Sequence, residues 1–178
     1  MSKHVIAAAM AAVFVMGMGA GYAAKQKAEP ASTDYRGQES QQAARRLLQV
    51  ALVQAGPNGS WERIGVGRVF YLGGMKAEGQ AIFDALLFGK HDDSDLFRIA
   101  RVYQEAGEWE KAKPLFEQYL RANAKDEKDL AEVGAYYLLA GDRDTAEQYF
   151  DRSYDLEREE LWATLDIAGA YLGVKPQH

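Results

Sequence analysis

The sequence predicts an all-α protein made of antiparallel helix–turn–helix units laid side by side. Three observations carry this. First, residue types recur every thirty-four positions: Tyr103, Tyr137 and Tyr171; Leu96 and Leu130; Gly107 and Gly141; Ala112 and Ala146; Phe116 and Phe150. A fixed period of this length marks a stacked array in which each unit buries its apolar face on its neighbour. Second, apolar residues within a unit return every three or four positions, the spacing of one helical face. Third, glycines stand where one face ends and the next begins, and Gly accepts the left-handed turn at a helix C-terminus cheaply.

The elements follow in order. Over 38–55, Ala44, Leu47, Leu48, Ala51 and Leu52 make one stripe, stopped by Gly56-Pro57-Asn58-Gly59. This reads as a terminal helix covering the first unit, with Gln41, Gln42, Arg45, Arg46 and Gln49 turned to water. A degenerate unit comes next, with Ile64, Gly67–Arg68 and Tyr71, then Gly79 and Phe83 one residue out of phase. Over 95–105, Leu96, Ile99, Ala100 and Tyr103 form a face that Ala106-Gly107 ends. Over 109–120, Ala112, Leu115, Phe116 and Tyr119 form the facing one. Small residues at 100 and 112 let the two backbones approach, and the aromatics fill the remaining space. Pro114 falls early in its helix, where a lost donor costs little. The pattern returns over 130–139 and 145–156. A last helix over 160–172 holds Leu161, Trp162, Leu165, Ile167, Tyr171 and Leu172, apolar on more than one face. A terminal repeat should be polar outside, so this helix calls for a cover: the trailing residues 173–178, or a partner, of which a homodimer is the simplest.

These residues resemble the tetratricopeptide repeat, a helix–turn–helix unit of thirty-four residues. The likeness spans roughly 61–172, with units over 60–92, 93–126 and 127–160 and a half unit over 161–173. It is carried by Leu96, Ile99–Ala100, Tyr103, Gly107, Ala112 and Phe116, by Leu130, Val133–Gly134, Tyr137, Gly141, Ala146 and Phe150, and by Ile167–Ala168 and Tyr171. Departures are Ala124 and Arg158 where Pro is common, Tyr119 and Ser153 where Ala is common, and Arg68 at a small-residue position. The resemblance implies a short right-handed solenoid that binds another protein or peptide in its concave groove. It also implies which positions line that groove. They are Ser94, Phe97, Arg101, Gln104 and Glu105; Lys128, Ala131, Ala135, Leu138 and Leu139; and Trp162, Leu165, Gly169 and Leu172. The family's carboxylate clamp needs Lys and Asn where Phe97, Arg101, Ala131 and Ala135 stand, so that clamp is not expected. The expected site is apolar with one cation: Phe97, Arg101, Gln104, Leu138, Leu139, Trp162, Leu165 and Leu172. An apolar groove suits an amphipathic helix or an apolar peptide, or else the chain's own last helix or N-terminal linker fills it.

The N-terminus reads as an address. An uncharged Ala-, Val-, Met- and Gly-rich run over 5–24 follows Lys3 and His4, and Gly21-Tyr22-Ala23 offers small residues at −3 and −1 of a cleavage site. This is the layout of a secretory signal peptide over 1–23. About twenty apolar residues can also span a bilayer, so an uncleaved inner-membrane anchor is the alternative. Residues 24–37 form a linker, and 38–178 the repeat domain. The expected location is the bacterial periplasm, secreted or facing it from the membrane.

Composition narrows the chemistry. The formal net charge is −5, and without a basic cluster an acidic chain is a poor nucleic-acid binder. Membrane contact is expected only through the N-terminal segment. With no cysteine, disulfides, thiol nucleophiles and thiolate metal sites are excluded. The polar run His91-Asp92-Asp93-Ser94-Asp95 could hold a metal or could cap a helix through Asp93 or Ser94. It lacks the Gly of a calcium loop. Gly65-Val66-Gly67 and Gly73-Gly74 have no Lys-Ser/Thr after them and follow no strand, unlike a phosphate loop. Nothing resembles a catalytic triad. The expectation is a non-enzymatic adaptor of the cell envelope without cofactor or metal. A self-associating structural component, or an accessory subunit of an envelope enzyme, is the alternative.

Overall fold

Each helical pair in this protein turns on the same local device, which also ends the last helix. Gly74, Gly107, Gly141 and Gly173 all have positive φ, from +75° to +92°. The residue after each donates its N–H five residues back: Met75 to Phe70 at 2.9 Å, Glu108 to Tyr103 at 2.8 Å, Asp142 to Tyr137 at 3.0 Å, Val174 to Gly169 at 2.9 Å. This closes the helix end by satisfying a carbonyl that has no intrahelical partner. A Cβ at these positions would strain the backbone.

The computed structural model describes residues 28–177. The leader expected over 1–23, with Lys3 and His4, and His178 lie outside them. Among the described residues the structure is all-helical, with a short 3-10 turn at Ser32–Asp34 and eight α-helices: α1 (Ser40–Ala55), α2 (Ser60–Leu72), α3 (Lys76–Phe88), α4 (Asp93–Glu105), α5 (Trp109–Ala122), α6 (Glu127–Leu139), α7 (Arg143–Leu156) and α8 (Leu161–Tyr171). Neighbours pack in pairs, α2 with α3, α4 with α5 and α6 with α7. α8 packs on α6, and α1 on α2. No helix among the described residues is long and apolar enough to cross a membrane.

Carboxylates start the helices. Glu39, Asp126, Asp142 and Glu160 each accept backbone N–H groups of the turn they precede, as an N-cap should. The polar run at 91–95 is one such start, shifted from the sequence expectation. α4 begins at Asp93, and its cap is Asp92. Asp95 reaches back to the Asp92 N–H at 3.4 Å and accepts the Ser60 hydroxyl at 3.0 Å, and is buried by these contacts.

The core runs through the pairs and between them, and aromatic rings fill much of it. A Cβ on Gly67 would lie 2.5 Å from the Phe83 ring, and one on Gly134 would lie 2.7 Å from the Phe150 ring. Each small residue is thus a socket for a phenylalanine sixteen residues on. Ala100 and Phe116 keep the same spacing and are both fully buried. Phe116 and Phe150 are core residues, as their recurrence implies. The first pair corrects the sequence register. It is offset from the second by thirty-three residues, because Gly67, Gly74, Gly79 and Phe83 match Ala100, Gly107, Ala112 and Phe116. Gly79 and Phe83 are therefore in phase with Gly67. Arg68 is the counterpart of Arg101 and does not occupy the small-residue position. The predicted terminal helix is α1, whose Leu48 packs with Ala44, Ala51 and Leu52 against Val66, Phe70, Met75 and Ile82.

A polar knot ties the outer ends of α2, α3 and α5. The Glu108 carboxylate accepts the Tyr71 hydroxyl at 2.6 Å and the ammonium groups of Lys76 and Lys111. Hydrogen bonds from Lys111, then Lys76, then Tyr71 hold its pKa down, from 4.5 to about 2. A carboxyl depressed on folding stabilises the fold above its unfolded pKa, and that stability is lost as pH falls through the folded value. The window is therefore pH 4.5 down to about 2. Glu108→Gln is expected to flatten this acid limb: its thermal midpoint should fall less than that of the wild type between pH 5 and pH 3. Parallel falls would show that other carboxylates carry the acid sensitivity.

Candidate binding cleft

Three first helices of the pairs turn one face to a shared cleft. α2 contributes Trp61, Ile64, Gly65 and Arg68; α4 contributes Arg98, Arg101, Val102, Gln104 and Glu105; α6 contributes Tyr136. The segment after α8 supplies another wall with Lys175, Pro176 and Gln177. The cleft volume is about 1070 Å³, ample for a segment of polypeptide.

Its electrostatics repeat from pair to pair. Arg68 on α2 donates Nε to Glu105 on α4 at 2.6 Å, with a second, shorter contact through its other arm. One unit on, Arg101 on α4 donates Nε and Nη2 to Glu132 on α6, at 2.7 and 2.5 Å. The two forks differ in setting. Arg68 and Glu105 are both nearly half exposed, whereas Glu132 is buried and also accepts the Tyr136 hydroxyl at 3.1 Å. The Arg101 guanidinium lies 4.6 Å from the centre of the Phe97 ring, and that of Arg98 lies 4.7 Å from the Trp61 ring. Arg98 also bonds Ser94 Oγ at 2.8 Å. Trp61 stays largely exposed.

The residues expected to form one apolar groove are divided among three places. Arg101 and Gln104 line the cleft. Phe97 does not: it is buried, with its ring centre 5.1 Å from Phe116 and 4.6 Å from Tyr119 on α5. Leu138 and Leu139 are half-buried against the main core. Trp162, Leu165 and Leu172 are exposed on α8 and do not line the cleft. The physical reason lies in the register. Position 97 faces the following helix of its pair, so α5 covers it, and Ala131, at the same register position, is buried. The equivalent Leu165 is open because no helix follows α8 among the described residues. The cleft is therefore not the apolar surface with one cation that the residue types suggest. It is an arginine–carboxylate ladder with a tryptophan at its edge.

Compared with protein-family models, curated proteins and solved structures, the chain matches none. Function must accordingly be read from the surfaces themselves. Arg68 does not stand out in the sequence, because the thirty-three-residue offset of the first pair hides its equivalence to Arg101, and Trp61 and Arg98 recur at no matching position. Aligning Gly74 with Gly107 brings Arg68 onto Arg101. Among the described residues no group of three or more His, Cys, Asp or Glu converges as a metal site requires. His91 lies against the Gly89 carbonyl at 3.1 Å.

Proposed function

We propose that this chain is a non-catalytic interaction scaffold of the tetratricopeptide type, whose stacked helical pairs form a short right-handed solenoid and hold a segment of another protein in the cleft. The observation that carries this reading is the cleft itself. Successive first helices present cationic forks at matching register positions, Arg68 and Arg101, beside an exposed indole. The core does not need Arg68 or Trp61, because the phenylalanine sockets already fill the interior of each pair, whereas Arg101 also ties α4 to α6 through Glu132.

The donors differ in availability. Exposed ion pairs contribute little to stability, so an incoming carboxylate or backbone carbonyl can take the Arg68 fork from Glu105 at small cost. Arg101 is pinned by buried Glu132 and shapes the floor. Trp61 offers a flat apolar anchor. This chemistry suits an extended segment with acidic or amide groups and one apolar side chain, in preference to a wholly apolar helix. The leader layout over 1–23 supports a location in the cell envelope, periplasmic after cleavage or tethered without it.

The test is capture from envelope extract on immobilised protein, with bound partners read by mass spectrometry. Trp61→Ala is expected to lower recovery of the specific partner by about tenfold or more, as anchor residues do. Equal recovery on wild type and variant would move the site away from the cleft.

A further inference from the structure

Among the described residues, the helical pairs are covered at one end and uncovered at the other. α1 covers the first pair. Among the described residues no element does the same for α8, and the register shows what is missing. Positions 127 and 134 of α6 face α7: the Ser153 hydroxyl bonds the Glu127 carbonyl at 2.7 Å, and the Phe150 ring lies over Gly134. Positions 131 and 138 fall on the same helical face. Thirty-four residues on, these four positions are Leu161, Leu165, Ala168 and Leu172. Leu161 is 60% exposed, Leu165 50% and Leu172 82%, and Ala168 is exposed as well. The stripe lies opposite the buried face of α8, which is Ala163, Ile167 and Ala170. Ala168 is thus an empty socket of the kind that Phe83 and Phe150 fill elsewhere.

We propose that this stripe is a dimer interface and that a second copy of the chain occupies it, α8 against α8 in antiparallel fashion. Leucines and alanine recur at spacings of four, three and four, the seam spacing of paired helices. A two-fold axis between positions 165 and 168 places Leu165 of each copy on Ala168 of the other, and Leu161 against Leu172. At the centre large meets small, and the outer leucines meet each other, at positions that the axis itself relates, as a self-complementary contact requires. Charge does not oppose a second copy at the contact itself. Two chains of net charge −5 repel unless they meet on neutral ground. The one carboxylate within α8, Asp166, is half-buried and falls on a helical face away from the stripe. The cleft plays no part in this contact, so either surface can fail its test without the other.

Light scattering behind size-exclusion, with dilution series, tests the proposal on the chain as isolated. The expected result is a dimer that Leu165→Asp weakens by about 30-fold, the scale of an interface anchor, with the helical circular dichroism signal kept. Leu172→Asp, at a more exposed position, repeats the test should Leu165→Asp lose its fold. Phe88→Asp is the control: Phe88 is 95% exposed on α3 and should leave the dimer intact. A monomer at every concentration would overturn the proposal and leave the stripe to a helix of another protein. A dimer indifferent to both α8 variants, or one dispersed equally by Phe88→Asp, would overturn it too.

Discussion

Phe116→Ala is expected to cost about 4 kcal/mol, within the range for truncating a fully buried phenylalanine, and to lower the thermal midpoint by roughly 10 °C. Phe116 has no exposed surface. Its ring centre lies 5.1 Å from Phe97, 5.3 Å from Tyr136 and 6.4 Å from Trp109. It therefore joins α4, α5 and α6, and its loss opens a cavity between two pairs that rigid neighbours cannot close. Phe150→Ala should cost less, about 3 kcal/mol, because its ring retains slight exposure and belongs to the last helical pair among the described residues. Melting of the two variants side by side checks both size and order. A loss below about 1 kcal/mol at Phe116 would mean that the phenylalanine sockets do not hold the pairs together.

Glu132→Ala is the second large effect, expected at about 2–3 kcal/mol, below the cost for a fully buried pair because the Arg101 left unpaired is about one-third exposed to the cleft. The carboxylate is 2% exposed and binds both arms of Arg101 and the Tyr136 hydroxyl. Without it the guanidinium is left against the Phe97 ring with its strongest acceptor gone. The double variant Glu132→Leu with Arg101→Met should recover much of the loss, since a buried pair replaced by packed apolar groups is often neutral. The full cycle, measured by denaturant unfolding, distinguishes a true coupling from simple loss of side-chain volume. Equal losses in the single and double variants would show that packing, not the ion pair, links α4 to α6.

The two effects mark what the sequence does and does not disclose. Phe116, Phe150 and the turn glycines are legible because each repeats at a fixed distance and each does one physical thing, filling a socket or turning left-handed. The caps are nearly legible. Asp92 is the hard one, because Asp95 looks like the start of the helix when it lies inside it and reaches back to the cap. Phe97 and Leu165 hold the same register position, yet one is buried and the other open. Their side chains do not decide this; the presence of a following helix does, and that is tertiary information. Glu132 is opaque for a similar reason. A glutamate within a helix reads as solvated until Arg101, thirty-one residues earlier, is seen to face it. A single residue hides the cleft: the first pair is one shorter than the period, and that displaces Arg68 from its counterpart Arg101.

If the face shared by α2, α4 and α6 is where this chain meets another protein, a reactive group on that face must reach the partner. Site-specific photo-crosslinking in the producing cell tests this, with the photoreactive side chain placed once at Trp61, on the cleft, and once at Phe88, on the far end of α3. A discrete adduct with another protein is expected from position 61 and none from position 88. Adducts from position 88 alone, or from neither position, would mean that the cleft is not the binding surface.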